Sequence, residues 1–300
     1  MKKQTAAMAV SCLVLMMAGS AAAETTYPAY SHETDDPFYA PACQYILEES
    51  GTHFDPEDIT IPFVDILRVD DSNPDDILVW GNYSISLYAL RGTTLMARSG
   101  GEEPGLLHMK KEGEGYTVVS MDRVEDGSDY DKSVQEIFGV DDALLQAFTD
   151  SFQNEELVDE TLRWYREDSG LDIAAYEDFG WDPHYLDPET EHDLEHPDLG
   201  GTWSADGAEM EIQNPSEGTV YDVAVTVPQE DGSTLQLTLF GQYEYSTNSL
   251  YYWDGRVTKQ AGETSEELEN TVDGSFELKE DNSIVWHRAD DDTELTFKRN

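Results

Sequence analysis

The sequence predicts an α+β protein in two parts, the first mixing helices with an antiparallel meander and the second all β. Three observations predict this. Helix-spaced apolar residues near the start give way to alternating strand signals and then to two capped helical stretches. Residues 182–198 break that pattern with three prolines, three histidines and dense acids. Beyond them, seven or eight short alternating runs fit into about 100 residues, with turn signals between nearly every pair. The 300 residues suit two domains of roughly 100–200 residues each.

In chain order, Lys2 and Lys3, the apolar run 6–18 and the small residues Gly19 to Ala23 read as a secretory signal over 1–23, cleaved before Glu24. The run is too short to span a bilayer. Ala9-Val10-Ser11-Cys12 is a degenerate lipobox, but the apolar core continues past it, so lipidation is the less favoured reading. Losing the leader removes two lysines and no acid, taking the formal charge from -47 to -49. It also removes Cys12. Cys43 is then alone, no internal disulfide is expected, and its helical setting reads as a small buried hydrophobe rather than a nucleophile.

Residues 24–181 form the first domain. Asp35-Asp36-Pro37 opens a helix carrying Phe38, Ala42, Tyr45, Ile46 and Glu49, with Gly51 as C-cap and Pro41 expected to kink its second turn. Strands follow over 64–69, 77–87 (with a bulge expected at Gly81), 93–99, 106–110 and 116–124. Asp141-Asp142 then caps a helix over 143–148. Asn154 caps another over 155–167 that ends at Gly170, with Leu157, Val158, Thr161, Leu162 and Tyr165 as its inward stripe. Residues 182–198 are the acidic His/Pro linker. Residues 199–300 form the second domain, with strands starting at Gly201-Thr202-Trp203 and recurring over 210–212, 221–227, 235–239, 250–253, 275–278, 284–286 and 295–297. Hairpin-length turns favour a small up-and-down barrel over a sandwich. The polar stretch 263–270 reads as a loop or a short helix.

Composition narrows the function. Lys+Arg total 17 against 64 Asp+Glu, so nucleic acid is excluded as a partner, and anionic lipid is disfavoured by the same repulsion. No apolar run after the leader reaches membrane length. With 39% hydrophobic and 11% aromatic residues, the chain can still pack cores despite its charge. Both parts are acidic, so charge gives them no reason to attract each other.

Two resemblances sit on top of this reading. Gly201-Thr202-Trp203, with Arg288 or Arg299 in a late strand, resembles the Gly-x-Trp start and closing arginine of lipocalin-like (calycin) barrels. Val79-Trp80-Gly81-Asn82-Tyr83, the stretch from Ser99-Gly100-Gly101 to His108, and Asp126-Gly127-Ser128-Asp129 through Ile137-Phe138-Gly139 resemble uncharacterised secreted proteins of gut bacteria with an NTF2-like or cystatin-like module. That resemblance covers about 35–182 and implies a roll, one helix wrapped by a curved antiparallel sheet. It implies no particular activity.

Candidate chemistry is sparse. His192-Asp193-Leu194-Glu195-His196 satisfies H-x-x-E-H, in which two histidines on one helix face hold zinc beside a glutamate base. Here it lies between prolines with no amphipathic helix around it, so a solvated linker, or a surface metal site shared with His184, is preferred over a metal-dependent hydrolase. Ser99, His108 and Asp122 can be written as a triad, but no nucleophile elbow accompanies them. The glycines of 100–105 read instead as a hairpin loop needing positive φ. His108, on a strand position, is also a candidate to line a roll pocket with Trp80 and Tyr83. The acidic turns 70–73, 126–131 and 290–292 match no calcium loop, leaving only weak divalent-cation binding as a cofactor expectation.

The sequence thus predicts a secreted, acidic, non-catalytic binding or structural protein of the extracellular space or cell envelope, whose ligand is a small molecule or a protein partner. The alternatives are a hydrolase or isomerase working around His108, and a metal-dependent hydrolase using His192, Glu195 and His196.

Overall fold

The computed structural model describes residues 26–50, 58–152, 154–187, 196–216, 218–229, 231–262, 264–288 and 294–300. The leader, Gly51 and the acidic turn 290–292 lie outside these. The chain is a mixed α+β protein dominated by strands, with a seven-stranded sheet followed by a closed eight-stranded antiparallel barrel.

Helix α1 (Tyr39–Glu49) opens where the Asp36 side chain accepts from the Phe38 N–H at 2.9 Å. Pro41 is its third residue, in the first turn and not the second. A backbone N–H there would have no partner within the helix, so the proline removes no hydrogen bond. Strand β2 (Ile77–Arg91) is the spine of the sheet. Strand β1 (Ile59–Asp70), which starts five residues before the predicted run, pairs along one side of it. On the other side β4 (Gly105–Glu112) pairs with its first part and β3 (Thr94–Glu102) with its second. β5 (Gly115–Arg123) extends the sheet beyond β4.

Gly81 is not the bulge. The extra residue lies opposite, in β1 between Ile66 and Arg68. Gly81 is required because the Tyr83 ring folds back over it, where any Cβ would overlap the ring, so that the Tyr83 hydroxyl donates to the Val79 carbonyl at 2.9 Å. The glycines of 100–105 also differ from expectation, since none has positive φ. They belong to β3 and β4, and Gly100 and Gly105 are needed because a Cβ would strike the Ile85 and Asp122 carbonyls of the neighbouring strands.

After β5, a short 3₁₀ turn over Gly127–Asp129 leads into α2 (Tyr130–Phe138), a helix that the acidic turn pattern of 126–131 does not predict. Helix α3 (Asp142–Ser151) is capped by Asp141 on the Leu144 N–H. Helix α4 (Glu155–Ser169) is capped by Asn154 on the Leu157 N–H and ends at left-handed Gly170. These helices cover both faces of the sheet. Ala42 and Ile46 of α1 and Leu162 and Tyr165 of α4 share a core with Ile61, Val79 and Tyr83. Val134 and Phe138 of α2 and Leu144 and Phe148 of α3 share a second with Trp80.

The linker at 182–198 is shorter than predicted at both ends. β6 (Ala175–Glu177) pairs in parallel with β3, and β7 (His184–Tyr185) pairs with β6. Leu186 is fully buried in the first core. At the other end the Tyr221 hydroxyl donates to the Pro197 carbonyl at 2.7 Å, and Leu199 enters the barrel core.

The barrel runs β8 (Gly201–Ala205), β9 (Ala208–Gln213), β10 (Val220–Pro228), β11 (Thr234–Glu244), β12 (Ser249–Ala261), β13 (Thr264–Leu278), β14 (Ser283–Arg288) and β15 (Glu294–Arg299), each pairing with the next. β15 closes on β8 through Lys298↔Ser204 and Arg299↔Trp203. Arg299, not Arg288, therefore lies over the Trp203 ring, 5.5 Å from its centroid. The polar stretch 264–270 is strand and neither loop nor helix. It pairs with β12 from Thr258↔Glu267 to Ala261↔Thr264, and Arg256 meets Glu267 at 3.0 Å. Backbone pairing holds it there, because residues 264–268 are all exposed. Trp203, Tyr221, Tyr252, Phe276, Trp286 and Phe297 fill the barrel interior, as eight strands leave little more than side-chain width. Among the described residues no helix is long and apolar enough to cross a membrane.

Candidate functional site

With the barrel interior filled, the barrel's own open space lies on its outer surface, where it meets the sheet. Two turns make that junction. Gly92, at φ +57 between β2 and β3, packs so closely on the β11–β12 turn that a Cβ would overlap Ser246. Next to it the Thr93 N–H donates to Ser246 Oγ at 3.1 Å, and the Thr94 hydroxyl donates to Glu244 at 2.8 Å. The second turn follows β6. Gly180, at φ +90, lets Asp178–Asp182 reverse against Gly218 and Thr219, and the Thr219 hydroxyl donates to the Trp181 carbonyl at 3.1 Å.

Beside this junction lies a cleft of about 810 Å³. Its floor is the outward face of β9–β12, in two cross-strand rows. One runs Glu211, Ala224, Thr238, Arg256 and the other Gln213, Asp222, Phe240. Ala224, with only a methyl group, makes the depression in the first row. Ala97 and Arg98 of β3 and Phe179 of the second turn form the wall, with Trp253 and Asp254 at the end of the floor. Phe179 is 51% exposed and Phe240 61%, while Trp181 beside them is 73% exposed. Among the described residues Glu211, Asp222 and Asp254 make no ion pair. The two arginines are already engaged, Arg98 with Asp58 at 3.1 Å and over the Trp253 ring, and Arg256 with Glu267. The cleft thus offers aromatic faces and uncompensated carboxylates together. A smaller space of about 410 Å³ continues past the Arg98–Trp253 stack, where Arg91 lies over the Tyr251 ring at 5.2 Å.

The residues singled out from sequence are elsewhere. Tyr83 and Trp80 belong to different cores on opposite faces of the sheet, with Trp80 Nε1 donating to the Ile137 carbonyl at 3.0 Å, so they share no pocket with each other. His108 sits beside Leu78 in register, with Nδ1 2.8 Å from Asp76 and Nε2 3.4 Å from Asp122. Partial burial opposes its charge, but the hydrogen bonds to Asp76 and Asp122 outweigh this and raise its pKa. Ser99 cannot join it. Ser99 pairs with Leu87 and His108 with Leu78, nine residues or about 30 Å apart along β2. His192 and Glu195 lie outside the described residues. His196 shares a hydrogen bond with the Tyr245 hydroxyl at 2.7 Å and lies 3.6 Å from Asp182, while His184 pairs with Asp159 at 3.2 Å. Among the described residues no group of three or more His, Cys, Asp and Glu side chains could hold a metal ion. Asp70 accepts from the Ser72 N–H and Asp281 from the Ser283 N–H, the self-bonded turns expected of such sequences. Cys43 is buried, and burial pushes its thiol up to about 12.

No family model, curated protein or solved structure matches this chain. The cleft therefore has to be read from its own chemistry. Sequence reasoning missed it, although one signal was present. Along β11, Leu235, Leu237 and Leu239 alternate inward while Thr234, Gln236 and Thr238 face out, and Phe240 falls on the polar side. A phenylalanine on the solvent face of an amphipathic strand marks a surface with something to contact.

Proposed function

We propose that this chain is an exported, acidic binding protein whose cleft receives a cationic segment with apolar stems, of the kind a basic peptide presents. The observation that carries the reading is the meeting of Phe179, Phe240 and Trp253 with Glu211, Asp222 and Asp254 around one open cleft. Ammonium and guanidinium groups gain from aromatic faces as well as carboxylates, and their alkyl stems cover exposed rings. The formal charge of -47 steers such a ligand toward the protein. The leader at 1–23 supports export. The helix-then-strands order supports an NTF2/cystatin-like roll for the first part, and the Trp203–Arg299 stack supports a lipocalin-like barrel for the second.

Titration with an octa-arginine peptide, followed by tryptophan fluorescence, tests this. Saturable binding is expected that weakens as salt rises. It should fall at least tenfold in Phe240→Ala and in Asp222→Asn, with melting unchanged. Spermine and neutral oligosaccharides serve as comparisons. Equal binding by an uncharged oligosaccharide, or peptide binding indifferent to both substitutions, overturns the reading.

A further inference from the structure

One step behind the cleft, the same strand face becomes buried. Gln242 follows Phe240 by two residues on β11, and Glu177 precedes Phe179 by two at the end of β6. Glu177 is 2% exposed and Gln242 1%. Gln242 Nε2 donates to Glu177 Oε1 at 2.8 Å. The other two oxygens of this pair, Glu177 Oε2 and Gln242 Oε1, are both buried and both without a donor.

Two acceptors left over within one carboxyl–carboxamide pair call for a proton. A carboxylic acid facing a primary amide makes two hydrogen bonds in a ring, amide N–H to one acid oxygen and acid O–H to the amide oxygen. We propose that Glu177 is held as the neutral acid, donating from Oε2 to Gln242 Oε1, and that this pair is a pH-sensitive latch closing the inner end of the cleft.

The surroundings agree. From β11, Glu244 faces Glu177; from the turn after β6, Asp182; from β7, Tyr185; and Tyr245 stands just past the end of β11. His184 on β7 is engaged with Asp159. Among the described residues no cation pairs with Glu177 or Glu244. Glu244, 1% exposed, accepts four hydrogen bonds, from the Thr94 and Thr247 hydroxyls and the Ser246 and Thr247 N–H groups. Glu177 accepts one. Donors are thus gathered around one carboxylate and withheld from the other. Burial, with Glu244 and Asp182 adding to it against the Gln242 bond, raises the Glu177 pKa to about 8.

Linkage fixes the direction. The folded protein holds a proton that the unfolded chain releases near pH 4.3, so the stability from Glu177 is full below that value and is lost as the pH rises toward 8. Ionisation removes the Oε2–H bond and sets a buried charge beside Glu244. The turn carrying Phe179 then loses its hold on β11. The consequence for ligand rests on the binding reading above.

The test uses the full chain and Glu177→Gln, whose amide keeps both hydrogen bonds without a titrating proton. Carbon-13 NMR of the wild-type Glu177 carboxyl should show a midpoint near 8. Glu177→Gln should melt higher than the wild type at pH 8 and equal to it at pH 4. Octa-arginine acetylated at its N-terminus, whose charge is then constant over this range, should bind the wild type about tenfold more weakly at pH 9 than at pH 7, and Glu177→Gln equally at both. A carboxyl midpoint near 4, or a Glu177→Gln protein less stable than wild type at pH 8, overturns the latch. So does wild-type peptide affinity that is flat with pH. If the peptide binds at neither pH, the binding reading falls, and the carboxyl titration and the melting comparison still decide the latch.

Discussion

Thr238, Phe240, Gln242 and Glu244 stand two apart on the outer face of one barrel strand, yet the first pair is exposed and the second almost fully buried. The strand itself does not differ. What differs is that β6 and the β2–β3 turn arrive over the second pair, while the first is left exposed among the described residues. Covering a polar position obliges it to find partners, because an unpaired buried polar group costs about 1–3 kcal/mol. Glu244 finds four donors, and Gln242 and Glu177 find each other. Uncovered, Phe240 needs no internal partner and remains open to a ligand. Seam and site are thus one surface under two boundary conditions.

The strongest way to break this comparison is Glu244→Ala. It leaves the donors of Thr94, Ser246 and Thr247 unsatisfied, and unfolding in denaturant should show a loss of about 3–5 kcal/mol. Asp222→Ala, in the open row beside Phe240, should change stability by less than about 0.5 kcal/mol. Similar costs for the two would mean that the seam is not packed. Gly218→Ala comes next. It combines a φ of +71 with a Cβ that would overlap the Gly180 carbonyl, so about 2–3 kcal/mol should be lost as the Asp178–Asp182 turn is displaced. Gly232 has a φ of +80 and open space around its missing Cβ, so its alanine variant should cost only about 1 kcal/mol.

A smaller effect separates His108 from both regions. Because Asp76 and Asp122 raise its pKa, its contribution is complete below the ordinary histidine value near 6.5 and disappears as the pH rises through the folded value. His108→Gln should therefore lose about 0.5–1 kcal/mol at pH 5.5, nothing at pH 9, and leave peptide binding intact, since both acids are half exposed or more. Turnover of any substrate that this variant abolishes without unfolding would replace the binding reading with an enzymatic one. The smallest stability effect belongs to Phe240→Ala, under about 0.5 kcal/mol. Its inward neighbour Leu239→Ala should cost about 2–4 kcal/mol, so equal losses would mean that Phe240 is a core residue.

Much of the fold was legible in the sequence because one local rule governed each piece. The caps Asp141 and Asn154, the stop at Gly170 and the alternation of the barrel strands all act over a few residues. The misses share a cause. Helix α2 was hidden behind an acid-rich turn, although Val134, Ile137 and Phe138 already have helical spacing. The polar end of β13 shows no alternation, since residues 264–268 are all exposed, and is held by its pairing with β12. Gly81 looked like a bulge because the ring that occupies its missing side chain belongs to Tyr83, two residues away on the same face. For the site, the His108, Trp80 and Tyr83 grouping assumed that nearby strand residues converge, whereas alternation sends residues 80 and 83 to opposite faces.

By itself the sequence determined the elements, the mixed class with a closing barrel, and the acidic surface that repels polyanions. Each of these follows from local propensity, periodicity or summed charge. Only the tertiary structure decided which outward residues of β9–β12 are open and which are sealed. It also decided that Arg299 and not Arg288 meets Trp203, and that Glu177 faces Gln242 across 65 positions of chain. Burial and partnership at such distances are set by which surfaces pack together, and no local pattern in either segment records the other.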